Sequence, residues 1–319
     1  MLVAPDCQTE AYELYVRNWI ALAALALFVG ISLPIAGFSW GLDREAWIGL
    51  LSCGTFIALG HLLMSRPYGL RLGYVLVSIA QLGCLSIVGA LLTYVAASAN
   101  LPLQDAALDR WDRILGLDWA SYYRFMTARP EILPYAYTAY AAIALPPFGV
   151  PIVLGLTKNY ARLQRYTLAT LLTLLIVAFI SALIPAIGTY LQHDLSPEFS
   201  TYSATGYLIQ LERLPAIRNG DLHILNLSHI GGIVTFPSFH AAAAVLALWA
   251  WWGVWWMRPG ALMLCTATMV ATPLLGGHYF VDVFAGIAAA GLAIALSSIV
   301  KRPLSVLPKA RTSLPVAGT

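Results

Sequence analysis

Apolar runs close to 20 residues long recur through this chain, and their length constrains its fold more than any single motif does. About 20 apolar residues let an α-helix cross a bilayer, whereas a soluble core is built from shorter, periodic segments. Eight such runs can be read, at about 18–39, 47–64, 70–97, 133–156, 164–190, 234–257, 260–276 and 278–300. Composition agrees, with 60% of the 319 residues hydrophobic and 10% charged, against about 25% charged in an ordinary soluble domain. The expected fold is all-α: a polytopic membrane protein of about eight transmembrane helices. The first run has no basic region before it and no convincing cleavage site, so it reads as a retained helix.

Eight spans put both termini on one side of the membrane. Of the 18 Lys and Arg residues, 11 fall on that side, from Arg17 to Arg311, and seven on the other, all arginines. The excess places the termini in the cytoplasm. A net charge of +3 makes no case for nucleic acid. Cys7, Cys53, Cys84 and Cys265 have neither metal-ligand nor redox spacing, and three lie inside apolar runs as small hydrophobes.

No repeat or low-complexity linker divides the chain, so residues 1–319 read as a single membrane domain. N-terminal helices occupy 1–99, a helical core 133–303 and a cytoplasmic tail 304–319. Between the first two lies 100–132, where Leu108, Trp111, Ile114 and Leu115 line one helix face and Asp105, Asp109, Asp112 and Arg113 the other. That pattern suits a helix lying in the membrane interface, either as a connector on the headgroups or as part of a lipid access route. Residues 191–232 form a long polar segment with His193, His223, His229, Arg213 and Arg218. At this length it is more than a simple connection, and it reads either as an extracytoplasmic cap over a site or as a folded exterior loop. Asn226-Leu-Ser228 is also a glycosylation sequon.

The chemistry-bearing residues stand at two helix starts. FPSFH (236–240) opens one apolar run and GGHYFVDV (276–283) opens another. His278 and Asp282 are four apart, so on a helix they share a face. A carboxylate there can accept the Nδ1 proton and leave Nε2 as nucleophile or base. Gly276-Gly277 permits a tight turn just before it. Counting spans, His240 and His278 begin helices running the same way from the same membrane face, and helix N-termini favour anions. Ionisable residues at such places mark function.

These residues resemble the type-2 phosphatidic acid phosphatase superfamily, which shares its site with vanadium haloperoxidases. Its Pro-Ser-x-His motif is matched by Pro237-Ser238-Phe239-His240, and its His-x-x-x-Asp motif by His278 and Asp282. The resemblance implies that His278 attacks phosphorus, Asp282 orients it, and His240 acts as acid and then base. Ser238 and backbone N–H groups at Phe239 would hold phosphoryl oxygens, with no metal and no cofactor. The implied partners are a lipid phosphate or phosphodiester substrate and the membrane itself. The superfamily's Lys, six residues, Arg-Pro motif has no match: Arg66, Arg129, Arg258 and Arg302 precede proline, but Leu59, Tyr122, Trp251 and Ala295 occupy the lysine position. Thr272 stands where the third motif carries arginine, so Thr272 and Arg218 are the candidates for the remaining phosphate contacts. FPSFH with HYFVD looks closer to the inositolphosphotransferase or inositol phosphorylceramide synthase branch, as do LGLDW (115–119) and PAIGTY (185–190). Water or a lipid hydroxyl, of ceramide or diacylglycerol type, is the implied acceptor.

Two readings of other classes remain open at this point. One is a proton-coupled transporter that uses His240, His278 and Asp282 as a relay. The other is a metal site built from His223, His229, His240 and His278.

Overall fold

Where water is absent, the helix is the open-ended structure that pairs its own backbone groups, and the apolar runs become helices. The computed structural model describes residues 5–66, 68–199 and 202–299, so the expected tail at 304–319 lies outside the described residues. The chain begins with α1 (Pro5–Ile35), α2 (Arg44–Met64), α3 (Leu70–Ala97), α4 (Asp105–Ile114) and α5 (Trp119–Thr127). Next come α6 (Leu133–Ala141), α7 (Pro146–Leu156), α8 (Tyr160–Leu183), the single turn α9 (Thr189–Gln192) and α10 (Thr205–Asn219). They are followed by α11 (Phe239–Trp252), α12 (Arg258–Leu275) and α13 (Phe280–Ile299).

Helices α1, α2, α3, α8 and α13 are each long and apolar enough to cross a membrane, and their length and composition mark a membrane protein. The pair α6 and α7 becomes a sixth if it is counted as one span, bent by 59°. The break falls where Pro146 has no N–H to give the Ala142 carbonyl, and a 3-10 turn at Ala142–Ala144 fills it. The expected runs 234–257 and 260–276 also contain helices, but α11 has 14 residues and α12 has 18. Helix α11 is therefore about 21 Å long, less than the ~30 Å hydrocarbon core. Its start is set by Ser238, which caps it, and its end by Gly253.

Four strands of two or three residues depart from the all-α expectation: β1 (Ser39–Gly41), β2 (Glu198–Phe199), β3 (Tyr202–Ser203) and β4 (Ile224–Asn226). Strand β1 runs parallel to β4 and β2 antiparallel to β3. The first ladder ties the α1–α2 connection to the 191–232 segment, and the Ser228 hydroxyl donates to the Asp43 carboxylate beside it.

Helix α8 is the centre of the bundle, packed against α1, α3, α11 and α13. Leu163, Ala169 and Leu171 meet Leu82, Leu85, Leu246 and Ala250 there. A buried polar thread crosses the same region. Asn18 Nδ2 donates to Gln164 Oε1 and Gln164 Nε2 to Ser78 Oγ, both at 2.9 Å, the kind of interhelical bond that joins helices where the surroundings offer no hydrophobic drive.

Helix α4 is oriented differently from a simple headgroup connector. Its inward face carries Asp105, Leu108, Asp109 and Asp112, all buried. Trp111, Ile114 and Leu115 face outward, with Ile114 74% exposed. Leu108 thus sides with the aspartates, because the i, i+3, i+4, i+7 spacing of 105, 108, 109 and 112 makes one stripe.

Close approach of α13 to α11 depends on Gly286. A Cβ there would lie 2.3 Å from the Ser238 carbonyl oxygen, so Gly286→Ala forces backbone apart. It should destabilise the protein by about 1–3 kcal/mol, read as a fall in thermal unfolding temperature in detergent. Gly291→Ala, with open space around its Cβ, should be neutral or stabilising by up to about 1 kcal/mol.

Candidate active site

The two helix starts singled out in sequence meet. Ser238 caps α11 through its hydroxyl, which accepts the Ala241 N–H, so Phe239 and His240 are the first two residues of that helix. Their N–H groups belong to the set that has no acceptor within a helix. Across from them, His278 precedes α13 by two residues. The Ser238 N–H donates to the Asp282 carbonyl at 3.0 Å, which fastens one helix mouth to the other.

His278 is held at both ring nitrogens. Nδ1 lies 3.2 Å from Asp282 Oδ2, and Nε2 lies 3.4 Å from Ser238 Oγ. The same Asp282 oxygen accepts the Tyr279 N–H at 2.8 Å, in the manner of a capping-box carboxylate at the third helical position. Asp282 is fully buried and His278 almost so. Gly276 leaves space for the imidazole: a Cβ there would be 2.4 Å from His278 Cδ2. Gly277 adopts φ +63°, a left-handed conformation that favours glycine, and its carbonyl accepts the Thr189 N–H at 3.0 Å.

Both histidines line one cavity of about 410 Å³, within the range of small-molecule sites. Phe239 and Gly276 share its wall, and α10 closes one side with Gly206, Ile209 and Gln210. Tyr140, Gly231, Gly232 and Val234 also line it, and helices α3 and α8 supply another side, including Gly89, Ala90, Leu174 and Val177. The hydroxyls of Ser86, Thr93 and Thr170 in this wall donate to carbonyls of their own helices. The wall along α3 and α8 is accordingly apolar.

Arg218 and Thr272 are not brought to the histidines in this way. Arg218 Nη1 donates to the Leu101 carbonyl at 2.8 Å, and the Thr272 hydroxyl donates to the Thr268 carbonyl inside α12. Arg213 grips the Tyr94 hydroxyl and the His229 carbonyl. Among the described residues that line the cavity there is no Arg or Lys. His223 and His229 sit beside the β1–β4 ladder rather than at the cavity. No group of three or more His, Cys, Asp or Glu among the described residues is placed to hold a metal ion.

Three residues important to the site were not singled out by sequence reasoning. Tyr140 of α6 stacks on His240, with ring centroids 4.2 Å apart and planes 12° apart. Asp112 and Asp105 of α4 reach the turn that carries His278. Phe280 N–H donates to Asp112 Oδ2 and Val281 N–H to Asp112 Oδ1, each at 2.8 Å. Asp105 accepts the Ile187 and Gly188 N–H groups and the Tyr279 hydroxyl. Burial pushes both carboxyls up from their ordinary value, against these donors, which pull them down. The signal was the 105/109/112 helical stripe, which shows that the acids share a face without showing where it points. Tyr140 had no distinguishing signal in its Tyr-rich run.

The two soft sequence signals belong to the same scaffold. In LGLDW, Asp118 caps α5 and Trp119 Nε1 donates to the Pro273 carbonyl. In PAIGTY, the Tyr190 hydroxyl donates to the Leu274 carbonyl. Both supply partners to carbonyls at the end of α12, which a helix cannot satisfy itself.

Comparison with known proteins gives one finding that bears on this arrangement. The family model described as the PAP2 superfamily matches residues 106–296. No curated protein and no solved structure matches the chain.

The stack on His240 has a direct test. Stacking of this kind is worth about 0.5–1.5 kcal/mol, so Tyr140→Ala should speed carbethoxylation of His240 by diethyl pyrocarbonate about 2- to 12-fold, followed by mass spectrometry. Tyr140→Phe keeps the ring and should leave the rate unchanged.

Proposed function

Because the chain belongs to the PAP2 superfamily, we propose that it is a membrane phosphatase or phosphotransferase that cleaves a lipid phosphoester through a phosphohistidine. One observation carries the reading: Asp282 engages Nδ1 of His278 while Nε2 faces Ser238 Oγ and the cavity. In this reading the Nε2 lone pair attacks phosphorus. The ester P–O bond breaks as His240 gives its proton to the departing oxygen. His240 then takes a proton from water or a lipid hydroxyl, whose oxygen attacks phosphorus. The P–N bond breaks and His278 is restored.

Charge develops on the phosphoryl oxygens in both steps, and donors aimed at them lower the barrier. The Ser238 hydroxyl and the N–H groups of Phe239 and His240 are suited to this, at the positive end of the α11 dipole. Arg218 and Thr272 gain no support from their hydrogen bonds, which face other partners. The lipid character of the substrate is supported by the cavity, which is polar at the histidines and apolar along α3 and α8. A phosphorylated amphiphile matches both ends. The acceptor is water or, as in the inositolphosphotransferase-like branch, a lipid hydroxyl, and the products separate the two: free phosphate from the first and a new phosphorylated lipid from the second.

The reading carries a topology as well. Eight spans, with α11 and α12 included, put the termini in the cytoplasm and the histidines at the extracytoplasmic face under the 191–232 cap.

Two experiments test it. Purified protein is incubated with radiolabelled phosphatidic acid in detergent micelles, and free phosphate and new lipids are scored. His278→Ala should abolish turnover, and His240→Ala should accumulate an acid-labile phosphoenzyme that the double variant lacks. Activity in His278→Ala within about tenfold of the parent, only ~1.4 kcal/mol of barrier, would refute the nucleophile. Separately, a single cysteine in 191–232, with the four native cysteines replaced, should react with an impermeant thiol reagent in intact cells. Labelling only after permeabilisation would invert the topology.

A further inference from the structure

A helix start in an apolar protein needs acceptors for its first N–H groups, and the usual source is the side chain of the residue just before it. At α13 that residue is Tyr279, whose hydroxyl goes instead to Asp105. The acceptor comes from a distant part of the chain. Asp112, 168 residues before Phe280, takes the Phe280 N–H on one oxygen and the Val281 N–H on the other. Two bonds to two oxygens set the rotation of the helix start as well as its place, which a single bond would leave free.

What this turn carries is His278. Its ring is aimed by Asp282, and Asp282 is the residue after Val281, so the direction of Nε2 depends on the orientation of the helix start. The turn is fastened at further points by the Thr189 N–H on the Gly277 carbonyl and by Asp105 on Tyr279. The Ser238 N–H on the Asp282 carbonyl adds another, and Asp112 supplies a pair of bonds at the two residues just before Asp282. Asp112 is 1% exposed, and both of its own oxygens go to the helix start. Its ionisable neighbours Asp109 and His193 pair with each other.

We propose that Asp112 is a positioning residue for His278, acting across the fold by holding the first two N–H groups of α13. The inference rests on the reading of His278 as nucleophile. A displacement of about 1 Å in a reacting group can lower a rate by about 100-fold, while a group that does not touch substrate leaves binding of the ground state nearly unchanged.

Asp112→Asn is the informative substitution, because its amide keeps one acceptor oxygen and turns a donor toward the second N–H. Phosphatidic acid hydrolysis by this variant should show kcat lowered about 10- to 100-fold with KM within about threefold of the parent. Asp112→Glu retains two acceptor oxygens and should recover part of the loss. Asn18→Ala is the control: it removes a buried side chain that bonds Gln164 between α1 and α8, a comparable loss to folding, and should leave kcat unchanged. Orthovanadate, a phosphoryl mimic that bonds to a well-aimed imidazole, supplies a readout without turnover. Its Kd should rise about tenfold or more in Asp112→Asn and stay constant in Asn18→Ala. Unchanged kcat and vanadate affinity in Asp112→Asn would overturn the proposal, as would losses in Asn18→Ala equal to those in Asp112→Asn. Parent protein with neither turnover nor vanadate binding would refute the nucleophile reading itself and the inference with it. An active parent beside an unaffected Asp112→Asn would refute the inference alone.

Discussion

A buried helix end needs partners for its backbone groups from within the protein, and the start of α13 is where that requirement meets the chemistry. Its first two N–H groups are held by Asp112 and the Tyr279 N–H by Asp282. An unsatisfied group buried there would cost about 1–3 kcal/mol. The same carboxylate that satisfies Tyr279 also lies against His278 Nδ1. Capping a helix and orienting an imidazole are thus one arrangement. The Ser238 cap of α11 repeats this at the opposite wall, with its hydroxyl near both the Ala241 N–H and His278 Nε2.

The rest of the molecule is arranged around that junction. Gly286 lets α13 lie against the Ser238 carbonyl, and Gly188 and Gly277 let the 185–190 segment reach the His278 turn. The end of α12 is completed by Trp119 and Tyr190, so the loop between α12 and α13 leaves from a fixed point. Helices α3 and α8 close the cavity behind the histidines. Helix α3 lies outside the residues that match the family model and α8 within them, so the apolar wall joins a contribution of the N-terminal part of the chain to one of the matched part.

Much of this was legible in advance. The apolar runs become helices because backbone hydrogen bonding in a membrane leaves few alternatives, and five of the described helices, or six with α6 and α7 as one bent span, are long and apolar enough to cross. His278 and Asp282 could be paired because a four-residue spacing on a helix is a contact by geometry. The 105, 109, 112 stripe was read as the polar side of a surface helix. Hydrophobic patterning cannot tell a polar stripe facing water from one facing orphan backbone donors, since both call for the same side chains. Sequence proximity to His240 points to Arg218, yet its guanidinium donates to the Leu101 carbonyl.

The sequence alone determined the helical membrane class, the positions of the two helix starts and the His278–Asp282 pair, because each follows from local spacing or from the solvent the chain must match. Tertiary structure decided that Tyr140 covers His240, that Asp105 and Asp112 turn inward, and that α3 lines the cavity. The ring stack and hydrogen bonds among them join residues about 100 to 175 positions apart, and they arise from which face of one helix packs against which end of another. That choice depends on all the helices filling the bundle together, and so it is not written in the neighbourhood of any one of them.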